Sequence, residues 1–311
     1  MGITLPIASA LLVVYFLWGG TYIAMKFAIE TMPPFLMAGI RFMTAGSIIF
    51  IWQLFKGVKN PTIIHWKNAA IVGGLLLLGG NGGVVWAEQS VSSGIAAIIV
   101  AMVPLWMALL AWLWQGSNRP NKMVFLGLGL GFIGIIMLVK NSGGEVSNTT
   151  AQWIGYIVLV GASICWAAGS LYSRIVTLPS APFMGIALQM LTGGSFCFLF
   201  GIFSGEWMRL DIAQISIHSA SALGYLIFFG SIIGFSAYIW LLKVADPTLV
   251  STYAYVNPVV AVILGWWLAG EQLTIQDILA ATIILLSVII ISKANSRKVA
   301  KTAPEEAVQS A

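Results

Sequence analysis

Trp18, Tyr22 and Lys26 stand at i, i+4 and i+8, so on a helix they form a single stripe. Trp166, Ser170 and Arg174 repeat that spacing farther along the chain. Such residues do binding chemistry. Ring faces cover the apolar body of a solute, and indole and hydroxyl groups meet its polar edge; the closing cations Lys26 and Arg174 can snorkel to water at opposite surfaces and need no functional role. On a helix surrounded by lipid the stripes are expected to face the bundle interior; an aromatic belt at the membrane interface is the other reading. Arg41 adds a charge about 9 Å into its predicted helix. A charge at that depth must be wetted or paired. It could meet a substrate carboxylate, pair with a buried group, or reach for the nearer surface.

Other residues suggest how a cavity could open beside these stripes. Pro104 and Pro258 fall inside predicted helices and leave the carbonyls of Val100 and Ala254 without helical partners. Such kinks could line a cavity or serve packing alone. Tyr253 and Asn257 lie one turn apart beside the second kink, with Tyr255 close by, and Trp86 and Trp240 end the helices expected to face this region. The run GGNGG at 79–83 weakens a helix, so a local break is expected there, with Asn81 on the cavity wall. No carboxylate falls in a central span; Glu88, near a predicted end, is the nearest candidate for proton coupling, and facilitated diffusion down a cargo gradient is an equal alternative to proton antiport.

Catalysis finds no footing in these residues. His65 and His218 are predicted at opposite membrane faces, and no HExxH, metal-ligand cluster or Ser-His-acid set occurs. No catalytic residue, metal or cofactor is therefore expected. The run GLGLGFIG at 127–134 lies within a span and does not follow a strand, so it is rejected as a nucleotide site. There is no P-loop, so direct use of ATP is not expected. Cys165 and Cys197 fall in apolar segments and read as packing residues.

The elements that must position these groups follow from composition. The chain has 311 residues, of which 59% are hydrophobic and only 8% charged. A soluble domain carries about 25% charged residues, so lipid must solvate part of this surface. Ten apolar segments approach the ~20 residues needed to cross a bilayer: 5–27, 35–55, 67–87, 92–114, 122–139, 152–173, 181–203, 219–242, 248–268 and 274–293. The first reads as a retained span and not a removed signal peptide. Thr274 and Asp277 read as a capping box for the last. Backbone satisfaction in hydrocarbon requires every span to be helical. Placing both termini in the cytoplasm puts eleven of the fifteen lysines and arginines on that side, which decides the orientation. The net charge of +5 comes mostly from these loops and the tail, so it reports topology and not nucleic-acid binding.

The chain also repeats itself. An offset of 148 carries Trp18 onto Trp166, Lys26 onto Arg174 and Arg41 onto Gln189. An offset of 154 carries Gly80 onto Gly234, Trp86 onto Trp240 and Pro104 onto Pro258. Each copy holds five spans, an odd number, so the second must enter the membrane inverted. The expected fold is an all-α integral membrane protein of ten transmembrane helices in two inverted five-helix repeats, 5–140 and 152–293, with a cytoplasmic tail at 294–311. Inverted repeats place a binding site near the midplane, where the halves meet.

Three stretches carry a family likeness: WGGTYIAMKFAIETMPPFLMAGIRF, CWAAGSLYSR and NPVVAVILGWWLAGEQLTIQDILAATIILLSVIII. They resemble the opening, the second-repeat start and the closing motif of the EamA family of the drug/metabolite transporter superfamily, over about residues 5–293. Where that family often has Gly-Glu in the first repeat, this chain has Gly116-Ser117; the second repeat keeps Gly270-Glu271. The resemblance implies a ten-helix secondary carrier of the bacterial inner membrane, commonly an exporter of amino acids, other metabolites or drugs. Its expected partners are a small-molecule substrate and the lipid bilayer. A facilitated-diffusion channel or non-transporting subunit is the alternative, and an intramembrane enzyme the remote one.

Overall fold

A computed structural model describes residues 4–115, 122–141, 150–245, 250, 253–272, 274–276, 278–287 and 289–290. The described residues form helices and connecting turns, and no strand. The helices are α1 Leu5–Ala28, α2 Pro34–Phe55, α3 Ile63–Ala87, α4 Ser93–Trp114, α5 Lys122–Asn141, α6 Thr150–Ile175, α7 Pro182–Phe203, α8 Ile217–Val244, α9 Tyr253–Ala269 and α10 Ile278–Ser287. They make ten crossings. In the seven longest apolar ones, between 50% and 56% of the central window is buried. The other half carries exposed Phe16, Ile157, Phe203 and similar side chains, which only hydrocarbon can solvate. The protein is therefore a multi-pass membrane protein with the two-repeat architecture expected of its sequence.

Local chemistry sets the helix ends. Pro34 and Pro182 open α2 and α7, where a missing N–H costs nothing. The Ser92 and Ser216 hydroxyls accept from the Ile95 and Ser219 amides at the starts of α4 and α8. The Thr62 amide donates to His65 Nδ1 at 3.2 Å, so α3 begins earlier than its apolar run alone predicts. The expected capping box at Thr274 involves Asp277, which lies outside the described residues.

Three interruptions matter for the site. In α3, residues Gly74–Gly82 form a π-helical stretch, and in α8 residues Leu226–Phe235 form another. These are corresponding positions of the two repeats. The local break expected at GGNGG is thus a wide turn in the helix, continuous with its flanks, and its symmetry mate was not expected. π-Helical turns leave slack in the backbone ladder and often mark functional positions. A third interruption is a turn at Ala101 and Met102, just ahead of Pro104, that splits α4. Pro258, by contrast, lies within a continuous α9.

The two repeats interlock through these wide turns. A Cβ at Gly80 would lie 2.9 Å from Trp166 Cε3, and a Cβ at Gly234 only 2.5 Å from Trp18 Nε1. Each repeat thus lays its tryptophan against a glycine of the other, where a side chain would not fit. Buried apolar residues form one cluster toward the end carrying Met25, Val91 and Ile98, and another toward the end carrying Leu11, Leu242 and Val250. Tyr22 belongs to the first and Trp18 to the second.

Two carboxylates tie the repeats together at the end of the bundle carrying Glu88. Glu271, in the turn after α9, accepts from the Ser93 amide at 2.9 Å, the Ser93 hydroxyl at 2.9 Å and the Gly94 amide at 3.3 Å. Glu206, after α7, accepts from the Phe35 and Leu36 amides at 3.3 and 2.9 Å. Each sits on the positive end of a helix from the other repeat. Glu271→Gln is expected to lower stability by ~1–3 kcal/mol, read as a fall in thermal midpoint of the purified protein in detergent. An unchanged midpoint would remove this contact as a fastening.

Candidate functional site

A cavity of about 60 Å3 lies where the two repeats meet. From α1 it is lined by Trp18, Thr21, Tyr22 and Met25; from α2 by Arg41 and Phe42; and from the π-helical part of α3 and the turn after it by Leu77, Gly80, Asn81 and Val84. Val100 comes from α4, Ala162 and Trp166 from α6, Gly230 and Phe235 from α8, and Tyr253 and Asn257 from α9. Space of this size holds a few waters. A pocket for a small organic molecule is several times larger, so this conformation leaves little room for a cargo molecule at the site.

The polar groups of the wall are held in place. Arg41 is 3% exposed, donates from Nε to Ser231 Oγ at 2.8 Å and from Nη1 to Asn81 Oδ1 at 3.3 Å, and lies 4.6 Å from the centre of the Phe42 ring. Asn81 reaches Arg41 because the π-helical turn rotates that face of α3 inward. Asn257 Nδ2 donates to the carbonyls of Tyr253 and Tyr15, at 3.3 and 3.0 Å. Trp18 Nε1 donates to the Gly230 carbonyl at 3.0 Å, an acceptor presented by the second π-helical turn.

The aromatic side of the wall is a cluster. Trp18 meets Trp166 edge to face at 5.5 Å and Tyr253 at 5.7 Å, and its ring centre lies 4.9 Å from that of Tyr238. Tyr238 is the hub. Its hydroxyl accepts from Trp166 Nε1 at 3.3 Å and bonds Ser170 Oγ at 2.9 Å. Edge-to-face pairs each add about 0.5–1.5 kcal/mol beyond simple burial, so this wall is stiff.

Seven residues expected at the site line it: Trp18, Tyr22, Arg41, Asn81, Trp166, Tyr253 and Asn257. Ser170 stands behind the wall, bonded to Tyr238 and to the Trp166 carbonyl. Trp86 and Trp240 do not line the cavity; each packs, half-buried, against one of the apolar clusters. The reason is helical phase. Positions two apart lie about 200° apart on a helix, so with Val84 on the cavity wall Trp86 turns away. The offset of 154 maps Val84 onto Tyr238, and Tyr238 faces inward where Trp240 does not. That register was in the sequence, but the tryptophan match drew attention to the wrong face. Pro104 and Pro258 do not touch the cavity, although the break before Pro104 leaves Val100 on its wall; Pro258 faces a groove beside α10. The side chain of Tyr255 lies outside the described residues.

Glu88 sits just beyond the cavity, fully buried, with neither carboxylate oxygen hydrogen-bonded among the described residues. Lys26 Nζ reaches the Glu88 backbone carbonyl at 3.4 Å, not its side chain. Tyr22, Lys26, Arg41 and Glu271 all lie within its electrostatic reach. A buried carboxyl in this position is either protonated or in need of a partner that another conformation supplies.

Each end of the bundle has its own vestibule. At the Arg174 end a hollow of about 400 Å3 is lined by Ser173, Arg174, Gln189 and Lys243 among apolar residues. At the Glu88 end one of about 310 Å3 is lined by Glu30, Arg209 and Asp211 with neutral residues. His65 and His218 lie at opposite ends, and His218 Nδ1 lies 3.4 Å from Glu30 Oε2. Among the described residues no group of three or more potential metal ligands occurs.

The EamA-like transporter family matches the chain twice, over residues 5–140 and 153–293. The inner membrane transporter YedA of Escherichia coli is 41% identical over 289 residues, covering 93% of this chain and 91% of that protein. The transporter YvbV of Bacillus subtilis is 25% identical over 301 residues, covering 91% of each chain. A crystal structure 19% identical in sequence superposes with a TM-score of 0.64, covering 93% of this chain and 98% of its own.

Proposed function

Since the chain belongs to the EamA-like transporter family, we propose that this membrane transporter is a secondary carrier that exports small amphipathic metabolites from a bacterial cell by alternating access. The reading rests on one observation above others: a ring-lined cavity carrying Arg41, Asn81 and Asn257 lies between two repeats that interlock through paired π-helical turns. A narrow cavity between two halves suits a carrier. A channel needs a continuous open path, whereas this cavity holds only about 60 Å3 and buried apolar residues pack toward both ends.

With both termini in the cytoplasm, the Arg174 vestibule faces inward and the Glu88 end outward. Trp18, Trp166 and Tyr253 would grip the apolar part of the cargo, and Arg41, Asn81 and Asn257 its polar part. Opening toward either side would separate one of the apolar clusters. The Glu271 and Glu206 contacts would hold the outer side shut. Glu88 would take up a proton in the closed state and lose it to water when the outer side opens, coupling flux to the proton gradient.

Reconstitution tests this reading. Purified protein in liposomes is expected to show saturable uptake that preloaded cargo accelerates. Flux that rises linearly with concentration and ignores preloading would replace the carrier with a channel.

A further inference from the structure

Among the described residues the cavity wall carries one formal charge and no counter-ion: Arg41 is the only Asp, Glu, Lys or Arg there. Its two hydrogen bonds go to neutral groups, the Ser231 hydroxyl and the Asn81 amide oxygen, and leave most of its N–H groups without a partner among the described residues. Glu88 lies within electrostatic reach but makes no ion pair with it; among the described residues the one ion pair is His218–Glu30. A guanidinium that is 3% exposed, lines a cavity and keeps N–H groups without a partner among the described residues can receive an anion there. Opposite it stand the faces and edges of Trp18, Trp166 and Tyr253.

The vestibules differ in the same sense. The hollow at the Arg174 end carries Arg174 and Lys243 and no acid among the described residues. The hollow at the other end sets Glu30 and Asp211 against Arg209 alone. The first attracts anions and the second repels them. In the first, Gln189, the repeat mate of Arg41, is fully buried with neither amide atom hydrogen-bonded among the described residues. An uncharged amide at the matched position gives an anion a weaker hold than Arg41 does.

We infer that the cargo is a small organic anion, a carboxylate with an apolar or aromatic body, bound by Arg41 through its carboxylate and by the tryptophans through its body. The inference rests on the carrier reading above and narrows its substrate class. A cationic drug would meet Arg41 with like charge. A neutral solute would leave that charge unanswered.

Matched pairs of solutes test this. Butyrate, hexanoate and phenylacetate are titrated calorimetrically into the purified protein, each beside its primary amide, with phenethylammonium as the cation. At least one carboxylate is expected to bind ~10-fold or more tightly than its amide, and phenethylammonium not to bind. Arg41→Gln should erase the carboxylate preference, and Arg41→Lys should keep it at reduced affinity. The inference is overturned if no carboxylate outbinds its amide, if the cation binds as well, or if folded Arg41→Gln keeps the preference. Should Arg41→Gln fail to fold, the wild-type pairs decide. Liposome flux separates this from the carrier reading. A carboxylate that binds but never crosses sinks the carrier and leaves the class standing. Saturable flux of amides or cations alone does the reverse.

Discussion

Gly234→Leu is expected to abolish transport and to lower the thermal midpoint, while the polypeptide still inserts. The Gly234 backbone lies so close to Trp18 that even a methyl group would stand 2.5 Å from Nε1. Trp18 has little freedom to withdraw, because Trp166, Tyr238 and Tyr253 surround it at 4.9–5.7 Å. Its indole N–H is also bonded to the Gly230 carbonyl. Overpacking a fixed core costs about 1–3 kcal/mol, and here it would also displace a wall of the cavity. The mirror change Gly80→Leu meets a carbon of the Trp166 ring at 2.9 Å and should act in the same direction, less severely. Size-exclusion profiles report insertion and folding, a melting curve reports stability, and liposome flux reports function. Wild-type flux with a wild-type melting curve in Gly234→Leu would mean that the repeats do not bear on each other through this contact.

Glu88→Gln should abolish concentrative transport and leave only equilibration, with the pH dependence of flux lost. Glu88 is fully buried and its carboxylate atoms have no hydrogen-bond partner among the described residues. Ionising such a group in place costs several kcal/mol. Raising the pH therefore favours any conformation in which Glu88 meets water or a cation, and lowering it favours the closed form. The charged or titratable neighbours able to bias that step are Lys26 and Tyr22 from α1, Arg41 from α2 and Glu271 after α9. Glutamine copies the protonated shape and cannot ionise, so it should keep the closed form stable at every pH. Flux is measured in liposomes with an imposed pH gradient. A mutant that still responds to the gradient as the wild type does would move proton coupling elsewhere.

Helical phase separates what could be read in advance at the site from what could not. Trp18, Tyr22, Tyr253 and Asn257 were recognisable because i, i+4 spacing on a helix gives a common face, whatever the helix packs against. Arg41 was recognisable because a charge at that depth demands an explanation. Trp86 and Trp240 were misread because their match between repeats was treated as a match of face. Tyr238 escaped notice because its counterpart is a valine, and matching unlike residues requires knowing which way the helix turns. The paired π-helical turns could not be foreseen either. GGNGG signals weakness, whereas IFFGSIIGF at 227–235 looks like an ordinary apolar helix.

Composition and spacing alone determined that this chain is a membrane bundle of ten helices in two repeats, because hydrocarbon admits few ways of satisfying a backbone and an odd repeat must invert. They also marked the ring and charge types of its site. Only the tertiary structure decided which rings face the cavity, that Arg41 has no acidic partner on its wall among the described residues, and that two wide helical turns bring the tryptophans of each repeat against glycines of the other. Those outcomes depend on helix rotation and on contacts between residues as far as 212 positions apart, and local spacing carries no information about either.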